Sequence, residues 1–276
     1  MARAPRIELD SPLPDTVDGR QIRAVAFQAG RLEYVDKTLR RVGLTAAGSR
    51  ALVVGSGRGL LARGLAGLGF DVVAVDPSAS ATAIARETDA REPDAREPDE
   101  RETGEGETGE GERGAVRYET APPEELGVAD AAFDLVYYAD TFEVTPALGP
   151  VLAEGARALA PDGVLIYDTV NRTPVSRLIY LIAFQRLPMT RIMPPGRYAA
   201  ERLRTPAEMT EALRRHGLRN EDICDFKPRD PRSLVKATMD RRRGRITDEE
   251  IPPIVDFVLA PGTRPQVTYL GYARKV

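Results

Sequence analysis

The short apolar run Arg50–Gly55 (RALVVG) passes directly into Gly55-Ser56-Gly57-Arg58-Gly59, and then into Leu60–Leu68, whose apolar spacing suits one face of a helix. A second run, Phe70–Asp76 (FDVVAVD), follows Gly69 and ends in an acid 21 residues beyond Gly55. This order constrains the fold more than any other feature of the chain. β-Branched runs of this length without polar alternation read as strands buried on both faces. Two of them joined through a helix predict a parallel pair with a right-handed crossover. Three glycines in five residues let the backbone turn tightly and leave it open to close approach by a ligand. The helix that follows offers unpaired N–H groups at its start. Asp76, followed by Pro77, is suited to accept hydrogen bonds from a ribose diol, and charged hydrogen bonds of that kind are worth about 1.5–3 kcal/mol.

The pattern continues. Ala115–Glu119, Phe133–Tyr138 and Gly163–Val170 read as further strands, and Leu218–Phe226 with Gln266–Ala273 as a final pair. Ser78–Arg86 and Leu148–Leu159 read as helices, and Thr205-Pro206-Ala207-Glu208 carries the N-cap, N1 proline and capping-box acid of another, running to His216. The expected fold is α/β: a Rossmann-like, doubly wound, mostly parallel seven-stranded sheet forming a single domain over residues 1–276, with a helical lid insertion at 172–204. Ligands of such sheets bind beyond the carboxyl ends of the strands, at the switch point.

Composition narrows the chemistry. The 276 residues are 42% hydrophobic and 29% charged, and they contain one cysteine and one histidine. A disulfide framework and Cys/His zinc sites are excluded. A Ser-His-Asp or Cys-His enzyme would depend on His216, which stands before Gly217 at a helix end, where a histidine complements the dipole. Cys224 falls in a late strand and is not expected to be a nucleophile. No apolar run reaches the roughly 18 residues of a membrane span, and Met1–Asp15 lacks the apolar core of a secretory signal, so the expected location is cytoplasmic. The net charge of −3 is uneven. Residues 86–114 hold 12 acidic and 5 basic side chains, or −7, which leaves +4 for the rest. That stretch repeats Ala-Arg-Glu-Pro-Asp at 90–94 and 95–99 and then turns Gly/Glu-rich; it is expected to be a disordered surface loop.

A dinucleotide fingerprint needs a third glycine where this chain has Leu60. The G-x-G-x-G spacing, the helix, the second strand and Asp76 together make the sequence resemble class I S-adenosylmethionine-dependent methyltransferases. It is most similar to the 3-demethylubiquinol O-methyltransferase family. Val53–Ala62, Phe133–Glu143, Asp168–Met209 and Val267–Lys275 carry that resemblance, with Thr169-Val170-Asn171-Arg172 and Met193-Pro194-Pro195-Gly196 the most specific parts. The resemblance implies S-adenosylmethionine as cofactor. Arg31 would reach its methionine end; Gly55, Ser56, Gly57 and Gly59 would form the loop, Asp76 and Pro77 the ribose side, Glu119 and Thr120 the adenine side. Tyr138 and Ala139 would lie at the exit of the fourth strand. A nicotinamide enzyme, a catalytically silent binding module and a tight turn with a surface acid remain the alternatives.

The resemblance also implies a Glu-x-x-Glu-His motif connected with metal binding and with deprotonation of the acceptor hydroxyl. The matching residues are Asp140, Glu143 and Val144. Asp140 and Glu143, three apart, share one face of a helical turn and are the candidate catalytic pair. Mg²⁺ is left open, because a valine replaces the histidine. Val175–Met193 is apolar with Arg177, Arg186 and Arg191 spaced through it; it is read as a lid in which Leu178, Ile179, Leu181, Ile182 and Phe184 bury while the arginines snorkel. The implied acceptor is a small, lipophilic, hydroxylated molecule, with O-methylation expected and N- or C-methylation of a specialised metabolite as the alternative. A peripheral membrane contact through 175–193 is part of this expectation. A nucleic-acid partner is not expected: Arg241-Arg242-Arg243-Gly244-Arg245 is short and lacks interleaved aromatic residues.

Overall fold

The computed structural model describes residues 5–13, 16–91 and 113–276. Two short strands, β1 (Arg6–Ile7) and β2 (Thr16–Val17), pair with each other ahead of a long helix, α1 (Gly19–Val42). Then come β3 (Arg50–Val54), α2 (Leu60–Gly67), β4 (Asp71–Asp76), α3 (Ala79–Arg91), β5 (Val116–Thr120), β6 (Phe133–Tyr138), α4 (Leu148–Ala158) and β7 (Leu159–Val170). The lid region holds α5 (Pro174–Arg177), a wide π-type turn at Leu178–Ala183 and a 3₁₀ turn at Ala200–Arg202. The chain closes with α6 (Pro206–Arg215), β8 (Leu218–Pro228), α7 (Pro231–Arg242), β9 (Phe257–Ala260) and β10 (Thr268–Lys275).

The main sheet runs β5-β4-β3-β6-β7-β10-β8-β9. Strands β3 to β7 are parallel, while β10 is antiparallel to both β7 and β8, and β8 to β9. The sheet therefore has eight strands, one more than the sequence predicted. The eighth, β9, is a four-residue edge strand, too short and too exposed to announce itself. The chain steps outward from β3 through β4 to β5 and then returns to β6 on the other side of β3. The switch point is therefore the gap between the carboxyl ends of β3 and β6.

Each face of the sheet has its own core. On one, Phe27, Val53, Leu65, Ala74, Tyr137 and Phe226 pack beneath α1 and α2; on the other, Leu52, Val75, Val136, Leu165, Leu213 and Tyr269 pack with α4 and α6. Neighbouring residues such as Leu52 and Val53 go to opposite faces, as the two-residue period of a strand requires. Helix α6 starts with the expected capping box between Thr205 and Glu208 and stops at His216, with Gly217 in the left-handed region at φ 70°.

The acidic segment needs a correction at its start. Residues 86–91 are not loop; they are the last turns of α3, and Arg86 anchors them by donating to the Tyr118 carbonyl at 2.5 Å. The reading of 92–112 as loop lies outside the described residues. The basic cluster is partly internal: Arg241 is buried, pairs with Asp248 at 2.6 Å and donates to the Thr16 carbonyl.

Candidate functional site

Strand β3 releases the chain into a loop whose conformation only glycine tolerates well. Gly55 has φ 78°, and a Cβ there would lie 2.4 Å from the Ala139 carbonyl oxygen at the exit of β6. Gly57 has φ 55°, and its N–H donates to Asp76 Oδ2 at 2.8 Å. The loop therefore wraps around the Asp76 carboxylate, which is fully buried and also accepts from the Ser78 N–H at 2.9 Å.

A third partner of Asp76 was not foreseen. Arg20, in the first turn of α1, donates to Asp76 through both terminal nitrogens, one of them at 3.0 Å, and also to Asp10 at 3.2 Å. The segment before α1 lies across the loop: Ser80 donates to the Asp10 carbonyl, Arg58 to the Ser11 carbonyl, and Asp18 caps α1 while accepting from Arg58. The Arg20 side chain divides the space at the strand ends into two cavities. One, of about 20 Å³, faces Arg31, Gly57 and Ala139; it has room for roughly one water. The other, of about 230 Å³, faces Pro77, Ser78, Thr141 and Val144. Ligand pockets usually measure about 300–1,000 Å³. Both cavities are smaller than that, and Arg20 lines each of them.

Beyond this cleft lies a buried cluster of charges. Asp140 leaves β6 in the left-handed region, φ 46°, which aspartate tolerates better than most residues. Its Oδ2 meets Arg31 at 2.8 Å and its Oδ1 accepts from Arg23 Nε at 2.9 Å. Arg31 also donates to Asp168 Oδ1 at 2.9 Å, and the Tyr137 hydroxyl to Asp168 Oδ2 at 3.2 Å. Glu143, fully buried, accepts from Arg23 at 3.1 Å and from the Thr169 hydroxyl at 3.2 Å. Two arginines thus face three carboxylates, and the environments push the acids apart. Burial opposes ionisation of Asp140, but Arg23 and then Arg31 outweigh it and hold the group well below the usual carboxylate range. At Glu143 burial wins over Arg23, and the nearby Asp140 and Asp168 charges add to it, so its pKa is pushed up to about 7.

The lid closes over this cluster. Tyr180 and Phe184 point inward, with Tyr198 packed edge-on against Tyr180 at 4.9 Å between ring centroids, and Arg23 donates to the Tyr180 hydroxyl. Contrary to expectation, Leu178 and Ile182 are exposed, together with Val175, Leu187 and Met189. Wide turns, in which Phe184 N–H bonds to the Ile179 carbonyl and Leu187 N–H to that of Ile182, rotate the lid's faces relative to a plain α-helix.

Comparisons with known proteins bear on the family and the fold. A family model described as a methyltransferase domain matches residues 52–167. The ubiquinone biosynthesis O-methyltransferase of Xanthomonas axonopodis pv. citri is 30% identical over 207 residues, covering 75% of each chain. The chain belongs to the S-adenosylmethionine-dependent methyltransferases. Solved methyltransferases with the same fold include one from Aquifex aeolicus (TM-score 0.53, 15% identity, 92% of this chain and 93% of that one). Another is from Mesorhizobium loti (TM-score 0.53, 20% identity, 90% and 100%).

For this methyltransferase the sequence-predicted residues fall into three groups. Arg31, Gly55, Ser56, Gly57, Ala139 and Asp140 line the smaller cavity, and Gly55, Pro77 and Asp140 the larger; Asp76 lines neither but is bonded to the Gly57 N–H and to Arg20. Gly59 caps α2 and packs against the Tyr118 ring. Glu119 and Thr120 end β5, with Thr120 in register with Asp76, but they line neither cavity. Tyr138 is a correction: its side chain points to the other face of the sheet and donates to the Val151 carbonyl at 2.7 Å, as part of the α4 core. The residues suit S-adenosylmethionine. Asp76 has carboxylate oxygens of the kind a ribose diol donates to, and Arg31, which lines the smaller cavity, keeps a buried Nε with no partner, a donor suited to a carboxylate. They do not suit Mg²⁺: the Asp140 and Glu143 oxygens are all engaged by protein donors, and Val144 contributes no ligand.

Sequence reading missed Arg20, Arg23 and Asp168. Arg20, Arg23, Phe27, Arg31 and Tyr34 recur every three or four residues along the inner face of α1. That period was the available signal, concealed because arginine does not count as apolar.

Proposed function

We propose that this methyltransferase transfers the methyl group to a hydroxyl of a small, lipophilic, phenol- or quinol-like acceptor, and that Asp140 and Glu143 act on the acceptor side. The observation that carries the reading is the pair's contrast in acidity beneath an aromatic lid. Two titratable groups whose environments drive their pKa values apart are the signature of acid–base work. Glu143, pushed up to about 7, is poised to take a proton near neutrality. Asp140, held ionised between Arg23 and Arg31, keeps the guanidinium groups oriented. Tyr180, Phe184 and Tyr198, all buried, cover the pair with aromatic rings and exclude water from it.

S-Adenosylmethionine, when bound, supplies an already activated methyl group, so the protein's task is to position the acceptor and remove its proton. Asp76 would hold the ribose after Arg20 withdraws, and Arg31 the methionine carboxylate. The similarity to a ubiquinone biosynthesis O-methyltransferase supports an oxygen acceptor. The exposed lid residues Val175, Leu178, Ile182, Leu187 and Met189 stand among Arg177, Arg186 and Arg191, and residues 172–200 contain no acid. An apolar patch among arginines suits the surface of an anionic membrane, where lipophilic acceptors gather. A cytoplasmic location belongs to the same reading.

The test uses S-adenosylmethionine carrying a ¹³C methyl group, with a short-tailed catechol as acceptor. The expected product shows its label at the NMR shift of an aryl methyl ether. A label on nitrogen or carbon across an acceptor panel that includes amines, with none on oxygen, would overturn O-methylation.

A further inference from the structure

Arg23 lies on α1, in no segment that the sequence motifs singled out. Its guanidinium is held between the rings of Phe27 and Tyr180, 4.7 and 5.1 Å from their centroids. It bonds Asp140 through two nitrogens, Glu143 at 3.1 Å, and the Tyr180 hydroxyl. One planar cation therefore joins both acids to the lid, and it is only 5% exposed.

We propose that Arg23 is the resident cation of the Asp140–Glu143 pair, occupying the position that a divalent ion would need. The proposal deepens the reading of this pair as the acceptor-side acids, and rests on it. Four facts support it. The oxygens of the pair are all taken: Asp140 Oδ1 and Glu143 Oε1 by Arg23, Asp140 Oδ2 by Arg31, and Glu143 Oε2 by Thr169. The next residue, Val144, offers no donor atom. Glu143 has no exposed surface, whereas Mg²⁺ sheds water reluctantly and usually keeps several waters in an octahedral shell. A guanidinium is weakly hydrated, planar and forked, so it suits two carboxylates and two ring faces where a compact hydrated ion does not. Arg23 thus supplies a preorganised positive charge beside the acids, without open coordination positions.

Mn²⁺ is the probe, because its paramagnetic resonance signal collapses on binding. The purified chain is titrated as wild type, Arg23→Met and Arg23→Met with Asp140→Asn. The wild type should leave the free-ion signal intact. Arg23→Met should bind about one Mn²⁺ per chain, at least about tenfold more tightly than the wild type, and the added Asp140→Asn should abolish that binding. Stoichiometric Mn²⁺ uptake by the wild type, released by Asp140→Asn, would overturn the proposal. So would a folded Arg23→Met variant that takes up no Mn²⁺, since the two acids would then not form a cation site. If Arg23→Met does not fold, Arg23→Gln carries the same comparison. Calorimetry with S-adenosylhomocysteine on the same samples tests the functional reading separately: failure of the wild type to bind it would sink that reading and leave the Mn²⁺ result standing.

Discussion

Asp76 and Glu143 are both buried acids, but their surroundings assign them opposite tasks. Asp76 accepts from two backbone N–H groups and from Arg20. Asp76→Asn keeps the shape and removes the charge; S-adenosylmethionine affinity should fall about tenfold or more by calorimetry, from loss of a charge-assisted hydrogen bond. Glu143 receives a single guanidinium contact and a threonine hydroxyl, too little to offset its burial. Its pKa in the folded chain, about 7, lies above its ordinary value of 4.5, so the folded state holds this proton more tightly than the unfolded state. The stability that this group contributes is complete below about 4.5 and is lost as the pH climbs through about 7. Calorimetric melting should therefore show the wild type losing several degrees between pH 5 and 8 relative to Glu143→Gln, at roughly 2–4 °C per kcal/mol for a chain of this size. In turnover, the wild-type rate should rise through the same range, and the variant should lose that rise.

Helix α1 was the element least legible in the sequence, and it is the one that completes the site. The strands, the glycine loop and Asp76 could be read because each follows a local rule: β-branched runs, turn glycines, a strand-end acid; the Asp140–Glu143 pair came only from the family resemblance. The inner stripe of α1 follows a rule of tertiary charge pairing, in which buried arginines make sense only once Asp76, Asp140 and Asp168 are in place. Tyr138 failed in the opposite sense: the strand was right, but the side chain's face depends on register. At this scale Arg20→Met should tighten cofactor binding several-fold and speed association in stopped flow, since the side chain competes with the ribose for Asp76; weaker binding would show that Arg20 is itself part of the bound site. The lid gives a second expectation. Leu178→Asp with Ile182→Asp alters two exposed residues one turn apart. Co-sedimentation with vesicles rich in phosphatidylglycerol should drop sharply, while S-adenosylhomocysteine affinity stays within about twofold.

Across the whole molecule, five parallel strands build the switch point, and the antiparallel β10, β8 and β9 extend the sheet beyond it. The lid leaves from the end of β7, and β10 runs antiparallel beside β7 from Val170 to Val164, so the lid's root is fastened to the middle of the sheet. The acidic repeat lies in the sequence between α3 and β5, and β5 is an edge strand of the sheet. Replacing residues 92–112 by a short Gly/Ser linker should therefore leave both cofactor affinity and melting temperature nearly unchanged; a large drop in melting temperature would mean that the segment takes part in the fold. Among the described residues, no helix is long and apolar enough to cross a membrane.

Arg20 and Arg23 stand three residues apart, within the opening turns of α1. One grips Asp76 and the other grips Asp140 and Glu143. The same few ångströms of helix latch two doors. A movement that lifts this end of α1 would release both sets of ion pairs together, whereas a side-chain swing at Arg20 would release only the first.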